Sequence, residues 1–394
     1  MISQRMGKRI SQKGGIRQAY NEAQRQYEIY GKENVFDLSI GNPSVPAPDK
    51  VKETILKVLE DDFSHGYMSD AGYEDTRRKI AESLNRKYEE TYTGDDIVMT
   101  NGAAGGINCT LCALLDPGDE VILFRPYYTA YEGFIENWGG KAVTVSPKGE
   151  EFLPDYEELE QRITQRTKVV IVNSPHNPSG TIYPKETAEK IARILEKKEQ
   201  ELGHEIYLLS DEPYRELVYD GTHLPWWPHE YRDTIVAYSF SKSLSLAGER
   251  IGYLLIPPHI GDAKNVMRAV RSSMGKIGYV NAPALFQKVA GDCVDETVDL
   301  KYYKKNRDLL YQTLKRFGFT AVYPRGAFYI FVKCPINEEE FLIRAQNRHF
   351  IFVGGSSFDY PGYVRLSFCC KQEVIERAVP AFELLARDCG LISG

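Results

Sequence analysis

Short apolar runs and amphipathic stretches take turns along the middle of the chain: "DIVMT" then "AAGGINCTLCALL", "EVILF" then "TAYEGFIENWG", "KVVIV" then a helical pattern over 184–202, then "EIYLLSDE" and "TIVAYSF". Strands that are apolar almost throughout and separated by helices predict an α/β architecture, a mainly parallel sheet covered by helices on both faces. Past about residue 285 the pattern changes to a long charged helix through "DLKYYKKNRDLLYQTLKRFG", two strands near "AFYIFV" and "YVRLSF", and a closing helix, which predicts a smaller α+β domain. This divides the chain into an N-terminal arm and helix over 1–49 that packs with the small domain, a large domain over 50–285 and a small domain over 286–394. In open α/β sheets ligands gather at the carboxyl ends of the strands, so the residues that follow each apolar run are the candidates for a site.

Composition narrows the class without changing this picture. The 394 residues are 42% hydrophobic and 26% charged, an ordinary globular balance. A net charge of -6 argues against a general nucleic-acid binder but allows a local basic pocket for a small anion. No apolar stretch approaches the ~18 residues that would span a bilayer. Seven cysteines spread over so long a chain do not read as a disulfide framework, and a reducing cytoplasm is the expected location. Cys109 and Cys112 form a CxxC inside a buried helical pattern with no second pair to complete a metal site. The first seventeen residues carry five basic groups and no acidic one, which suits a solvated or partner-clasping arm.

The strand ends supply a consistent set of residue types. After "DIVMT" comes a glycine-rich turn, with Gly102, Ala103 and Ala104 opening a helix where bare N–H groups and the helix dipole favour a phosphate. After "EVILF" comes "RPYYTAY", whose Tyr128 could stack on a planar group. "NSPHNPSG" puts Asn177 on a backbone fixed by proline and glycine, and "SDEPYREL" puts Asp211 at a strand end with Tyr214 three residues on. "SFSKSLSLAGERIG" then crowds Lys242 and Arg250 among small hydroxyl residues. Taken one at a time, each has a plain alternative: tight packing for the glycines, a core or surface tyrosine, a helix cap for Asp211, a surface loop for Lys242.

Together and in this order, "NGAAGG", "PYY", "NSPHNPSG", "DEPY", "SFSKSLSLAGERIG" and "YVRLSF" resemble the class I and II aminotransferases, fold-type I enzymes that depend on pyridoxal 5'-phosphate (PLP). The resemblance runs from about residue 16 to 388. It implies that Lys242 forms the Schiff base with PLP. Ser239, Ser241 and Arg250 would then surround the phosphate with the N–H groups of Gly102, Ala103 and Ala104, an arginine fork and hydroxyls suiting a dianion. Asp211 would pair with the pyridinium nitrogen, Asn177 and Tyr214 would bond the phenolic oxygen, and Tyr128 would stack on the ring. Arg365 would hold the substrate α-carboxylate, assisted by the backbone at Gly41. Tyr67, in "HGYMSDAGYEDTRRKIA", stands where a tyrosine reaches the phosphate of the other subunit, so a homodimer with a shared site is implied. Lys276, in "GKIGYVNAP", stands where a neighbouring subunit's arginine meets a second substrate carboxylate in well-known aspartate aminotransferases.

The implied reaction is ping-pong transfer of an amino group between an L-amino acid and a 2-keto acid. Two departures bear on specificity: Ala104 stands where many relatives carry serine, threonine or lysine, and Gly354 where proline is usual. The same fold also supports carbon–sulfur β-lyases, since reaction choice depends on which substrate bond lies perpendicular to the ring. PLP-sensing transcription regulators are a further class, but they carry an N-terminal DNA-binding domain. Fewer than forty residues precede "SIGNP" here, so that class is not expected.

Overall fold

The computed structural model describes residues 2–11, 15–61 and 65–393. Its largest sheet has seven strands: β1 (Ile97–Thr100), β2 (Glu120–Phe124), β3 (Lys141–Val145), β4 (Thr167–Asn173), β5 (Tyr207–Asp211), β6 (Thr234–Ser239) and β7 (Gly252–Leu255). Their spatial order is β1-β7-β6-β5-β4-β2-β3. All neighbours run parallel except at β7, which is antiparallel to both β1 and β6. The expected mainly parallel sheet is present, with two strands that the apolar runs did not announce, β3 and β7.

Both faces of this sheet are covered, because successive side chains of one strand point to opposite sides. Val121 and Val169 join Ile107, Leu111 and Val270 in one core, while their neighbours Ile122 and Val170 join Ile191, Leu195 and Leu208 in another. The helix over Lys185–Leu202 supplies the second set at helical spacing, and it stops at Gly203 in the left-handed region.

A second layer is built on a three-stranded antiparallel sheet with Tyr363–Ser367 in the centre, flanked by Tyr329–Lys333 and Val353–Gly354. The charged helix Leu300–Arg316 buries Tyr303, Arg307, Leu310 and Leu314 on one face, packing beside the closing helix Gln372–Asp388. Near the N-terminus, Phe36–Asp37 pairs in parallel with Phe350–Ile351, and the helix Ile16–Tyr30 buries Ala19 and Ala23 against Ile351 and Val353. Of the basic arm, residues 2–11 and 15–17 are described and hold a helix over Gln4–Ser11; residues 1 and 12–14 lie outside the described residues.

The expected boundary at 285/286 falls inside the helix Ala284–Asp292. That helix packs on Asp49–Glu60 and Glu74–Tyr88 in the core of the large layer, through Val289 and Ala290. Cys293 still belongs to that core and Val298 to the C-terminal one, so the chain changes layer between them. The change of pattern at the charged helix is the more visible signal, but packing holds the preceding helix to the sheet.

Strand β7 fixes the site's geometry through one glycine. Gly252 pairs with Ser239 on one side and Thr100 on the other, and a Cβ there would lie 2.2 Å from the Tyr238 carbonyl oxygen and 2.9 Å from Gly102 Cα. Both obstacles are backbone and cannot swing away. Gly252→Ala is therefore expected to destabilise the fold by about 1–3 kcal/mol, the usual cost of overpacking, and to lower the melting temperature by several degrees. A thermal melt of the variant checks it.

Candidate active site

A cavity of ≈ 290 Å³ opens at the carboxyl ends of β4, β5 and β6, and residues of the C-terminal layer close its other side. Its polar lining comes from strand ends for a physical reason. Each strand is buried along its length, so the residue where it stops is the first that can turn its backbone and side chain toward a ligand.

One end of the cavity is basic and rich in hydroxyls. The Ser239 and Ser241 hydroxyls lie 2.7 Å apart, and Ser239 Oγ also accepts from the Ser241 N–H at 3.2 Å. Arg250 Nη1 donates to Ser241 Oγ at 3.4 Å and to the Ala247 carbonyl at 2.9 Å, from a left-handed backbone with φ 54. Opposite stands the start of the helix Gly102–Leu114, with Gly102 at φ +71. A Cβ at Gly102 would come within 2.9 Å of Arg250 Nη2, so this glycine gives the guanidinium its room.

The floor is Asp211, the last residue of β5 and only 6% exposed. Tyr131 Oη donates to its Oδ2, while Oδ1 has no partner among the described residues. Burial pushes the carboxyl up to about 7, opposed by the Tyr131 hydrogen bond and helped by the nearby Glu212 charge. Asn173 Nδ2 holds the Asp211 carbonyl at 2.9 Å, and Asn173 Oδ1 accepts from the Asn177 N–H at 2.9 Å. Tyr128 lines the cavity and meets the Tyr131 ring edge-on, centroids 5.6 Å apart.

Arg365, from the central strand of the C-terminal layer, reaches across the seam. Its Nη1 donates to Asn177 Oδ1 at 2.9 Å and its Nη2 to the Ser39 carbonyl at 2.6 Å, while its buried Nε has no partner among the described residues. The Tyr214 and Tyr329 hydroxyls are 3.1 Å apart. Lys242 Nζ donates to the Gly41 carbonyl at 2.7 Å. Burial pulls the Lys242 ammonium down to about 8, with Arg250 and Arg365 acting the same way and Cys369 opposing, so about a tenth of the amine is free at pH 7, far more than for an ordinary lysine.

The structure thus brings twelve of the expected residues to the wall of one cavity: Gly41, Ala103, Ala104, Tyr128, Asn177, Asp211, Tyr214, Ser239, Ser241, Lys242, Arg250 and Arg365. Gly102 stands just behind it. Tyr67 and Lys276 do not line it. Tyr67 is 96% exposed, and Lys276 sits at the end of the helix Ala263–Ile277 with its ammonium 5.2 Å from the Trp138 ring centre. Sequence reasoning passed over Asn173, Tyr131 and Tyr329. Asn173 directly ends β4 in the quoted "NSPHNPSG", and Tyr131 follows Tyr128 by about one helical turn, so both carried a positional signal.

A family model described as aminotransferase class I and II matches residues 33–382. The chain belongs to the class I and II aminotransferases. An aspartate aminotransferase of Thermotoga maritima is 31% identical over 355 residues, 89% of this chain and 91% of that one. An aspartate/prephenate aminotransferase of Thermus thermophilus is 33% identical over 353 residues, 88% of this chain and 89% of that one. Among solved structures, an aminotransferase of Eubacterium rectale is 42% identical with a TM-score of 0.95, covering 98% of this chain and 99% of its own.

The protein is accordingly a PLP-dependent aminotransferase acting on amino acids and keto acids, and none of these likenesses favours a lyase. The residues present fit the cofactor. Asp211 Oδ1 is a buried acceptor in want of a cationic N–H donor, which a protonated pyridine nitrogen supplies. The serine hydroxyls, arginine and helix start supply the donors and positive charge that a phosphate needs.

Asp211 also makes the cofactor-free protein pH-sensitive. Its folded-state pKa is raised, so its contribution to stability is fully present below the unfolded value near 4 and is lost as pH rises through about 7. Relative to Asp211→Asn, the cofactor-free protein is expected to lose stability between pH 4 and 7, and PLP is expected to reverse the difference at pH 7. Thermal melts of both proteins across that range, with and without PLP, check it.

Proposed function

We propose that Lys242 is the catalytic lysine, that Asp211, Asn177 and Tyr214 hold the pyridine ring, and that Arg365 with Gly41 receives the substrate α-carboxylate. The observation that carries this is the convergence of three groups on one cavity: the Lys242 amine, the unpaired Asp211 Oδ1 and the unpaired Arg365 Nε. When bound, PLP supplies an electron sink for the pair released as the substrate's Cα–H bond breaks. Lys242 Nζ would take that proton and hold it at its amine beside the substrate, which its lowered pKa favours. Arg365 fixes the substrate by its carboxylate, with the fork already oriented by Asn177 and Ser39. Asp211, held by Tyr131, keeps the ring nitrogen protonated. Ser239, Ser241, Arg250 and the N–H groups at 102–104 anchor the phosphate, and Tyr128 covers the ring. The first keto acid leaves before the second arrives, giving ping-pong kinetics.

The same reading makes the enzyme a homodimer, with Tyr67 reaching the phosphate site of a second copy; its full exposure in the single chain supports this. It places the enzyme in the cytoplasm. All seven cysteines are free, and among the described residues no helix is long and apolar enough to cross a membrane. For substrates, we propose glutamate and 2-oxoglutarate as one pair and a broader, aromatic-accepting second pair. The cavity lining includes the apolar Ile16, Ile40, Ile107 and Phe134, which favours an uncharged side chain, and Lys276 of a second copy would meet an acidic one.

Lys242→Ala is expected to abolish transamination, and borohydride treatment of the unsubstituted enzyme to fix the cofactor on the Lys242 peptide. Label on another lysine would overturn the assignment. Lys276→Ala is expected to lower kcat/KM for glutamate about tenfold while leaving tyrosine within about twofold. Steady-state assays with both amino acids decide it, and equal losses would remove Lys276 from the site.

A further inference from the structure

Tyr329 opens the strand Tyr329–Lys333 and is buried, yet nothing in the reaction as derived above uses it. It touches three groups that the reaction does use. Its hydroxyl lies 3.1 Å from that of Tyr214, and either can be the donor. Its ring centre lies 4.3 Å from the Arg365 guanidinium carbon. This contact follows from register: Tyr329 pairs with Ser367 and Phe331 with Arg365, so Arg365 is the diagonal neighbour of Tyr329 on the same sheet face. The Tyr329 hydroxyl also fills the place where a Cβ on residue 41 would stand, 1.9 Å away, and the Gly41 carbonyl is the acceptor of Lys242 Nζ.

Resting on the assignment of Tyr214 to the cofactor, we propose that Tyr329 is a positioning residue whose hydroxyl donates to Tyr214, freeing Tyr214 to donate to the cofactor's phenolic oxygen, and whose ring steadies Arg365 for the substrate carboxylate. The argument is one of proton supply. A tyrosine has one O–H, so a Tyr214 that donates to the cofactor must be an acceptor toward Tyr329. Donor chains polarise one another, so the Tyr329 bond makes Tyr214 a better donor and stabilises negative charge on the phenolic oxygen. Burial raises both hydroxyls, Tyr214 well above the ordinary phenol value, so both keep their protons through the working range. The charged and titratable groups facing the pair are Arg365, Asp211, Tyr128, Tyr131 and Cys369, and none of them is substituted in the variants below.

The test is a pH titration of the bound cofactor's absorbance in the holoenzyme, combined with steady-state kinetics. Tyr329→Phe keeps the ring and removes the donor. It is expected to raise the titration midpoint by about 0.5 pH unit, a typical single hydrogen bond, and to lower kcat several-fold with KM for the amino acid within about twofold. Tyr329→Leu also removes the ring and is expected to add a rise in KM of about tenfold. In a Tyr214→Phe background, Tyr329→Phe is expected to move the midpoint no further, because the two hydroxyls act as one chain. An unchanged midpoint in Tyr329→Phe, or the same shift with and without the Tyr214 hydroxyl, would overturn the relay. A KM rise in Tyr329→Phe equal to that of Tyr329→Leu would overturn the role of the ring. Borohydride labelling of the Lys242 peptide in the unsubstituted enzyme reads the underlying assignment separately.

Discussion

At the carboxyl end of β5 the Asp211 carboxyl is almost buried, and among the described residues only one of its oxygens has a hydrogen-bond donor. A buried acceptor without a partner costs about 1–3 kcal/mol, more if charged, and the carboxyl cannot escape by moving. Its strand sits between β4 and β6 in the middle of the sheet, and its backbone carbonyl is held by Asn173. The fold therefore keeps an acceptor pointed at a place where a cation must come. Around that place the cavity wall carries Lys242, Arg250 and Arg365 against Asp211 alone. This excess of positive charge suits a ligand set with a phosphate at one end and a carboxylate at the other. Burial first, and the two arginines after it, lower the Lys242 pKa, so the charge imbalance that suits anions also favours a free amine there.

The site lies on the seam between two cores, which explains why glycine is needed at 41. A Cβ there would meet both Tyr329 and Phe328 of the C-terminal layer, at 1.9 and 2.9 Å from the nearest atoms. The close approach lets one short segment serve both layers: Ser39 accepts from Arg365 and Gly41 from Lys242. Next to it, the Cys369 thiol donates to the Asn42 carbonyl at 2.6 Å, with its pKa pushed up to about 11 by burial, so it stays a neutral clamp on the segment. Arg365 and Lys242 are thus held by carbonyls only two positions apart on the same backbone segment.

How much of this could be read from the chain follows from where each residue stands. Asp211, Asn177 and Lys242 follow abrupt ends of apolar runs, where a polar side chain has few structural uses, and their order matched a family. Strand β3, "KAVTV", was missed because its first residues are exposed at the sheet edge and it lacks an apolar run. Strand β7 was missed because it is short and follows a loop already read for chemistry. Tyr131 and Tyr329 are buried tyrosines in a chain with 26 tyrosines, and their importance lies in contacts made across 80 and 115 positions of sequence, to Asp211 and Tyr214. Tyr67 and Lys276 lie away from the cavity of their own chain, and the roles proposed for them need a second copy.

The antiparallel strand β7 is what lets one stretch of chain supply most of the anchors proposed for the cofactor. In a parallel crossover the chain leaves a strand at the ligand end and must travel to the opposite edge before starting the next strand. Here it leaves β6 at Ser239, turns through Lys242, takes left-handed conformations at Ser245 and Arg250, and enters β7 at Gly252 without leaving the ligand end. Both ends of that excursion are pinned by pairing, Gly252 with Ser239 and with Thr100. The Thr100 contact in turn places the turn at Gly102 beside Arg250. Left-handed backbone at two non-glycine residues costs energy, and it is sustained because the flanking strands leave no other path. Lysine, serines, arginine and the helix start are thus fixed relative to one another by the hydrogen bonds of three adjacent strands, so their spacing does not depend on how the two layers sit.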